Sequence, residues 1–310
     1  MKIVFLDAST LGKASLAPIE ALGELVCYPT STAEEALERV TDADVIIVNK
    51  VKVTAALIDA APHLKMICEA ATGVNNIDLG AAEARGIPVR NVAGYSTESV
   101  VQLTFALLLE LVSSTARHDA WVKDGSYSAN PIFTDVSAPF AELCGKTMGI
   151  VGMGTIGHRV AEVASAFGMH VIYFSTSGTS HCGDYPSVTL QELLEKSDVV
   201  SIHAPLNERT KGLIGDRGLS TMKRSAYVIN IGRGGIVDET ALAEAISTEK
   251  IAGAGIDVFT TEPLPEEHPL LHTLHPERLC LTPHIGWASA EAIQRLIEGI
   301  ANNIFELKEK

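Results

Sequence analysis

The feature that most restricts the fold of this chain is an alternation, run through twice, of short apolar stretches with helix-forming ones. The first series places β-type runs at residues 2–6, 24–28, 45–48 and 66–68, with helices near 17–22, 33–40 and 55–60 between them. Strands separated by a helix pair in parallel, so this order predicts a parallel sheet covered by helices on both faces. A second series starts at Thr147, with strands at 148–151, 171–174, 199–203, 227–231, 255–259 and 279–282 and helices at 155–167, 190–196, 240–247 and 289–307. Between the two lies one long helix, from 97 to about 119, whose apolar residues surround its few polar ones. Such a helix needs cover on most sides, from two domains or from a second subunit. Residues 123–139, broken by Gly125, Pro131 and Pro139, read as a surface arm. A length of 310 residues leaves room for two domains. The expectation is an α/β protein of two doubly wound, Rossmann-like parallel-sheet domains with a cleft between them.

Composition narrows the partners. Lys and Arg number 24 against 38 Asp and Glu, a formal charge of −14 with no basic run, so neither nucleic acid nor an anionic membrane surface is an expected partner. The most apolar stretch, 100–112, carries Gln102, Thr104 and Glu110 and falls short of the roughly 20 residues of a bilayer span. The opening run reaches Asp7 after six residues, too soon for a signal-peptide core. Five scattered cysteines without a C-x-x-C pair speak against a disulfide framework and against a zinc site. The expected compartment is the cytoplasm.

Gly152-Met153-Gly154-Thr155-Ile156-Gly157 follows an apolar run and opens a helix. In that setting the first glycine permits the tight turn, the second lets a pyrophosphate approach the backbone, and the third allows close helix–strand packing. The acidic residue that grips an adenosine ribose should end the next strand. Ser175 stands there instead, in Ser175-Thr176-Ser177-Gly178-Thr179-Ser180. The missing carboxylate removes a repulsion toward a 2′-phosphate, and the run holds no cation to attract one. Both coenzymes, NADH and NADPH, are therefore expected to serve, with modest discrimination.

Three further polar residues sit where predicted strands end, the edge at which doubly wound sheets place ligands. Arg233, in Gly232-Arg233-Gly234-Gly235, has small neighbours and a planar fork suited to a carboxylate. Glu262 lies in Asp257-Val258-Phe259-Thr260-Thr261-Glu262-Pro263, and His284 in Thr282-Pro283-His284-Ile285-Gly286-Trp287. If Glu262 accepts a hydrogen bond from one ring nitrogen of His284, it fixes the tautomer and makes the ring a placed proton donor.

The blocks Asn230-Ile231-Gly232-Arg233-Gly234-Gly235-Ile236-Val237-Asp238-Glu239, Gly255-Ile256-Asp257-Val258-Phe259 with Glu262-Pro263, Pro283-His284-Ile285-Gly286-Trp287-Ala288-Ser289 and Ala71-Thr72-Gly73-Val74-Asn75-Asn76-Ile77-Asp78 stand in one order with the glycine turn. Together they resemble the D-isomer-specific 2-hydroxyacid dehydrogenases over essentially the whole chain, and within them the glycerate dehydrogenase or hydroxypyruvate reductase branch. The resemblance implies a substrate-binding domain of residues 1–97 plus 285–310, with a dinucleotide-binding domain of 98–284 inserted. It implies Arg233 on the substrate's carboxylate and carbonyl oxygen, Glu262 orienting His284, and His284 exchanging the hydroxyl proton while hydride passes between NAD(P)H and C2 of a small 2-oxo acid. The amides of Gly73 and Val74, beside Thr72, would hold the other side of the carboxylate. Thr104 and Asp257 would contact the coenzyme, Ala204 and Pro205 would line its adenosine pocket, and Ile231, Gly232 and Gly286 would complete its site. Asn49, Lys50 and Trp287 are expected to set selectivity for hydroxypyruvate or glyoxylate, and the region 97–140 to form a homodimer contact. Two alternatives share the resemblance: a short phosphoglycerate dehydrogenase, and a nucleotide-sensing corepressor that keeps the same residues. The compact length is expected to favour a reductase.

Overall fold

The computed structural model describes residues 1–137, 139–180 and 182–309. Two compact units emerge, Met1–Ser96 with Ala288–Lys310, and Thr97–Trp287.

In the first unit, strands β1 (Lys2–Phe5), β2 (Glu24–Cys27), β3 (Val45–Val48), β4 (Met66–Glu69) and β5 (Val89–Arg90) form one parallel sheet in the order β2-β1-β3-β4-β5. The central β3 is Val-Ile-Ile-Val with every residue buried, as a strand covered on both faces requires. Helices enter through side-chain caps: Thr32 and Glu35 form a capping box, and Thr54 and Asp78 accept from Leu57 and Ala81 amides. The closing helix Ala290–Lys308 packs on β4 with Leu296, Ile297, Ile300 and Ile304 buried. Each such side chain contributes about 1.5–3 kcal/mol by leaving water.

The second unit carries β6 (Thr147–Val151), β7 (His170–Phe174), β8 (Val199–Ile202), β9 (Tyr227–Asn230), β10 (Gly253–Ile256) and β11 (Leu279–Leu281), all parallel, in the order β11-β10-β9-β8-β6-β7. Two apolar clusters cover its faces, one built on Leu193, Leu219 and Leu242, the other on Leu107, Leu108 and Val160. In both units the chain goes from the first strand to a neighbour on one side and then crosses to the other. The switch points lie between β1 and β3 and between β6 and β8.

The expected long helix is divided. Thr97–Ser113 ends at Ser114, which takes φ 48°, and Thr115–Lys123 follows at a bend of 59°. The cause is local: Ser114 donates to the Glu110 carbonyl at 2.7 Å, and the Glu110 carboxylate accepts from the Thr115 hydroxyl and from the Ala116 amide at 3.2 Å, capping the second helix. Among the described residues no single helix is long and apolar enough to cross a membrane. The arm after it contains a short helix, Ser126–Ala129, and exposes Ile132, Phe133, Val136 and Phe140.

Candidate active site

At the second unit's switch point, the glycine turn joins β6 to the helix Thr155–Ala166. Gly152 has φ +94°, and a Cβ there would lie 2.8 Å from the His203 carbonyl; a Cβ on Gly157 would lie 2.1 Å from the Gly152 carbonyl. Both positions therefore require glycine. A Cβ on Gly154 would meet no described atom within 4 Å, so this backbone faces open space beside a helix N-terminus. The fit to a pyrophosphate is good: free amide dipoles, positive helix end, room for the anion. Gly152 donates to the Phe174 carbonyl at 3.0 Å, which sets Ser175 at the rim of the turn, its hydroxyl donating to Thr179 O at 2.6 Å. Thr155 and Ile156 open the helix. Across the switch point Ala204 is buried and Pro205 exposed. His203 beside them has its pKa pushed down to about 4 by burial, so the ring is neutral near pH 7.

Arg233, Glu262 and His284 stand on three adjoining loops of this edge. Asn230, 2% exposed, braces the first loop: its amide donates to the Arg233 carbonyl and its oxygen accepts from Gly232. The Arg233 guanidinium donates to the Gly232 carbonyl at 2.8 Å, and no carboxylate pairs with it among the described residues. Glycines let the loops touch. A Cβ on Gly232 would lie 3.1 Å from the Ala204 carbonyl, one on Gly234 would lie 2.0 Å from the Phe259 carbonyl carbon, and one on Gly286 would lie 2.9 Å from Ile231 Cγ2. Glu262 accepts from the Phe259 amide at 3.0 Å and from His284 Nδ1 at 2.8 Å. His284 is half-buried, and its Nε2 has no partner among the described residues. The ring is thus held by one nitrogen and presents the other.

His284 has φ 56°, a left-handed conformation that costs a non-glycine residue on the order of 1–2 kcal/mol. Asp257 holds it. Buried Asp257 accepts from Thr282 Oγ1 at 2.6 Å, Ile285 N at 2.9 Å and Gly286 N at 2.8 Å, and burial raises its pKa above the usual carboxylate value. Its hydrogen bonds brace the histidine turn. Thr104 is fully buried on the inward side of its helix and donates to the Val100 carbonyl at 2.8 Å. Trp287 is half-buried at the end of the turn.

In the first unit, buried Asp7 follows β1 and its carboxylate accepts the amides of Asn49, Lys50 and Val51 at 2.6–3.1 Å. The Lys50 side chain itself is exposed. Glu69, 1% exposed at the end of β4, accepts from Asn76 Nδ2 at 2.9 Å. Its other oxygen has no partner, and burial, with Asp7 adding repulsion, pushes its pKa up to about 8. Asn76 also donates to Val51 O at 3.1 Å, tying the segment after β4 to the one after β3. Thr72 donates to Val92 O at 3.2 Å, and the half-buried Gly73 and Val74 amides donate to no described residue.

The supporting residues that sequence reasoning passed over are Asn230, Asp7, Glu69, Asn76 and Glu239. Glu239 accepts from Thr260 N at 2.7 Å and pairs with His268 Nε2 at 2.9 Å, fixing the loop that leads to Glu262. Only Asn230, Asn76 and Glu239 lie inside recognisable blocks; nothing in the spacing marks Asp7 or Glu69. No metal-ligand spacing was visible either, although the fold gathers ligand-type atoms of His158, Cys182 and Asp184 within 4.8 Å of one another.

Residues 105–286 match the D-isomer specific 2-hydroxyacid dehydrogenase, NAD binding domain family. A hydroxypyruvate reductase of Blautia hydrogenotrophica is 36% identical across 99% of this chain and 96% of its own length. A D-lactate dehydrogenase from Aquifex aeolicus, solved with NAD and lactic acid, superposes with a TM-score of 0.85 at 28% identity, covering 100% of this chain and 96% of the other. An NADPH-dependent glyoxylate/hydroxypyruvate reductase from Sinorhizobium meliloti, solved with NADP and malonate, gives 0.81 at 28% identity, covering 98% and 92%. A glycine turn open to a pyrophosphate, a carboxylate-held histidine and an unpaired arginine on one sheet edge agree with these likenesses: the chain belongs to the D-isomer specific 2-hydroxyacid dehydrogenases, oxidoreductases that act on a CH–OH group with a nicotinamide dinucleotide.

Proposed function

We propose that the chain reduces small 2-oxo acids of the hydroxypyruvate and glyoxylate class, giving D-glycerate or glycolate. The observation that carries this reading is the half-buried His284, held through Nδ1 by Glu262 with Nε2 free, on loops that also carry the unpaired Arg233. Arg233 binds the substrate carboxylate and polarises the carbonyl oxygen through its fork. His284 donates the Nε2 proton to that oxygen, and Glu262 places a negative charge opposite the ring while it is charged. The bound coenzyme supplies the hydride that reaches C2. Proton and hydride together balance reduction of the carbonyl to the alcohol; oxidation runs the same steps backward, with His284 as base.

The first unit supplies substrate binding in this reading: the free amides of Gly73 and Val74 take a carboxylate oxygen, and Lys50 adds positive charge. The second unit, residues 98–284 of the expected division, serves as the dinucleotide-binding domain. We further propose a homodimer through the 97–140 region. Phe133 is 88% exposed and lies with Ile132, Val136 and Phe140 on one arm, a patch that a soluble monomer rarely leaves in water. Five free thiols suit the reducing cytoplasm.

The test is a steady-state screen of 2-oxo acids with NADH and NADPH, with the configuration of each product determined by chiral separation. Hydroxypyruvate reduced to D-glycerate with the highest kcat/KM is the expected result. An L product, or no turnover of any 2-oxo acid, overturns the proposal. Sedimentation of Phe133→Asp reads the dimer: a monomer is expected, and an unchanged species removes the arm from the interface.

A further inference from the structure

We infer that Arg209 makes the ribose end of the coenzyme site a 2′-phosphate subsite, so that the chain prefers NADPH over NADH. The inference rests on the reading above that Ser175 faces the adenosine ribose. The run 175–180 contains no cation, and sequence alone predicts little discrimination. The fold supplies a cation from 32 residues further along: Arg209 Nη1 donates to the Ser177 carbonyl at 3.0 Å. Its guanidinium therefore stands on the turn that begins at the end of β7.

Several features make this a built arrangement. Thr210 is fully buried, donates to the Pro205 carbonyl at 2.6 Å and accepts from the Asn207 amide at 2.8 Å, so the residue after Arg209 is pinned to the switch-point loop. The Arg209 amide is itself held by Asn207 Oδ1 at 2.9 Å. Opposite, Ser175 Oγ and Ser177 Oγ lie 3.0 Å apart, two hydroxyls on one side of the turn. Gly178 has φ +83°, and a Cβ there would meet only Arg209 Nη1, at 3.9 Å. No carboxylate pairs with Arg209 among the described residues, and its fork has donors to spare.

A forked cation with N–H groups to spare and no acid to repel the ligand suits a phosphate monoester, while the Ser175 and Ser177 hydroxyls donate to the Thr179 carbonyl at 2.6 and 3.1 Å and shape the turn beneath it. A ribose that lacks the phosphate gives Arg209 nothing to bind and finds no carboxylate for its 2′- and 3′-hydroxyls. A charge-assisted hydrogen bond of this kind corresponds to roughly 10- to 100-fold in affinity. Arginine near the strand end is the general physical answer to a 2′-phosphate; here it arrives from a neighbouring loop.

The experiment is calorimetric titration of the full chain with 2′,5′-ADP and with 5′-ADP, in the unaltered protein, Arg209→Gln and Arg209→Lys. The expected result is at least tenfold tighter binding of 2′,5′-ADP by the unaltered protein, a ratio near one in Arg209→Gln, and an intermediate ratio in Arg209→Lys, which keeps charge and loses the fork. The NADPH to NADH ratio of kcat/KM should fall in parallel. Equal affinities in the unaltered protein overturn the inference. So does a preference that survives Arg209→Gln, or a loss shared equally by both nucleotides, which would mark Arg209 as a prop for the turn. A protein that binds neither nucleotide contradicts the coenzyme reading itself, an outcome distinct from equal binding of both.

Discussion

The two units cross over at the same topological position and use it in opposite ways. Between β6 and β8 the turn is built on glycine, Gly154 faces open space at the start of a helix, and the neighbouring loops present Arg233 and the His284 Nε2. Between β1 and β3 the amides that follow β3, of Asn49, Lys50 and Val51, are already filled by the Asp7 carboxylate from the end of β1. A parallel sheet's carboxyl edge gathers unsatisfied amides wherever strand order reverses. One unit closes that edge with a built-in anion and gains rigidity; the other leaves it for an anionic ligand and gains a site. The same contrast extends to the buried groups, since Glu69 is held with its pKa raised and His203 with its pKa lowered, both neutral near pH 7.

The strongest way to break the contrast is to remove chemistry from the open edge. His284→Ala should lower kcat by about 10²–10⁴-fold, the usual cost of a lost general acid, while the protein folds and binds coenzyme. A kcat near that of the unaltered protein would mean the proton comes from elsewhere. Arg233→Lys should cost roughly tenfold or more in kcat/KM because the fork is lost although charge remains. Equal performance would show that the carboxylate is bound by a point charge.

A matched pair of substitutions at the two switch points sharpens it further. Asp7→Ala orphans three amides at a cost of about 1–3 kcal/mol each where they are buried, so the urea midpoint should fall steeply. Gly154→Ala places its methyl in open space at φ −84°, so the midpoint should hardly move while the coenzyme Kd rises about tenfold or more. Should both variants lose stability alike, or both lose coenzyme affinity alike, the division of labour fails.

The smallest effects concern pH. Glu69 is protonated in the fold up to about pH 8 but ionises at ordinary values once unfolded, so its contribution is complete below pH 4.5 and is lost as pH rises toward 8. His203 acts oppositely: stability is complete above pH 6.5 and is lost as pH falls toward 4, because the unfolded chain takes up the proton first. Each tenfold difference in proton affinity is worth about 1.4 kcal/mol, so Glu69→Gln should flatten the alkaline limb of the stability profile by a few kcal/mol at most. Identical profiles for the two proteins would place Glu69 in contact with water.

Much of the fold was legible because alternation of strands and helices is written in consecutive residues, and the glycine turn carries its own steric logic. Strand β5 was not, since two residues show no periodicity, nor was the break at Ser114, which depends on a carboxylate four residues back. In the site, the positions of Arg233, Glu262 and His284 could be named from motifs. The inward turn of Thr104, the bracing of His284 by Asp257 and the arrival of Arg209 beside Ser177 could not. Each depends on which loops share a sheet edge, and residues 28–32 apart on different loops leave no signature in spacing.

In the proposed reduction Glu262 and His284 transfer the proton as one unit. A double-mutant cycle on kcat, using Glu262→Gln, His284→Ala and the double variant with coenzyme binding measured on each, tests it most directly. The double variant is expected to be no slower than His284→Ala alone, because Glu262 acts through the ring. Losses that multiply would contradict it, showing that the two side chains serve separate steps.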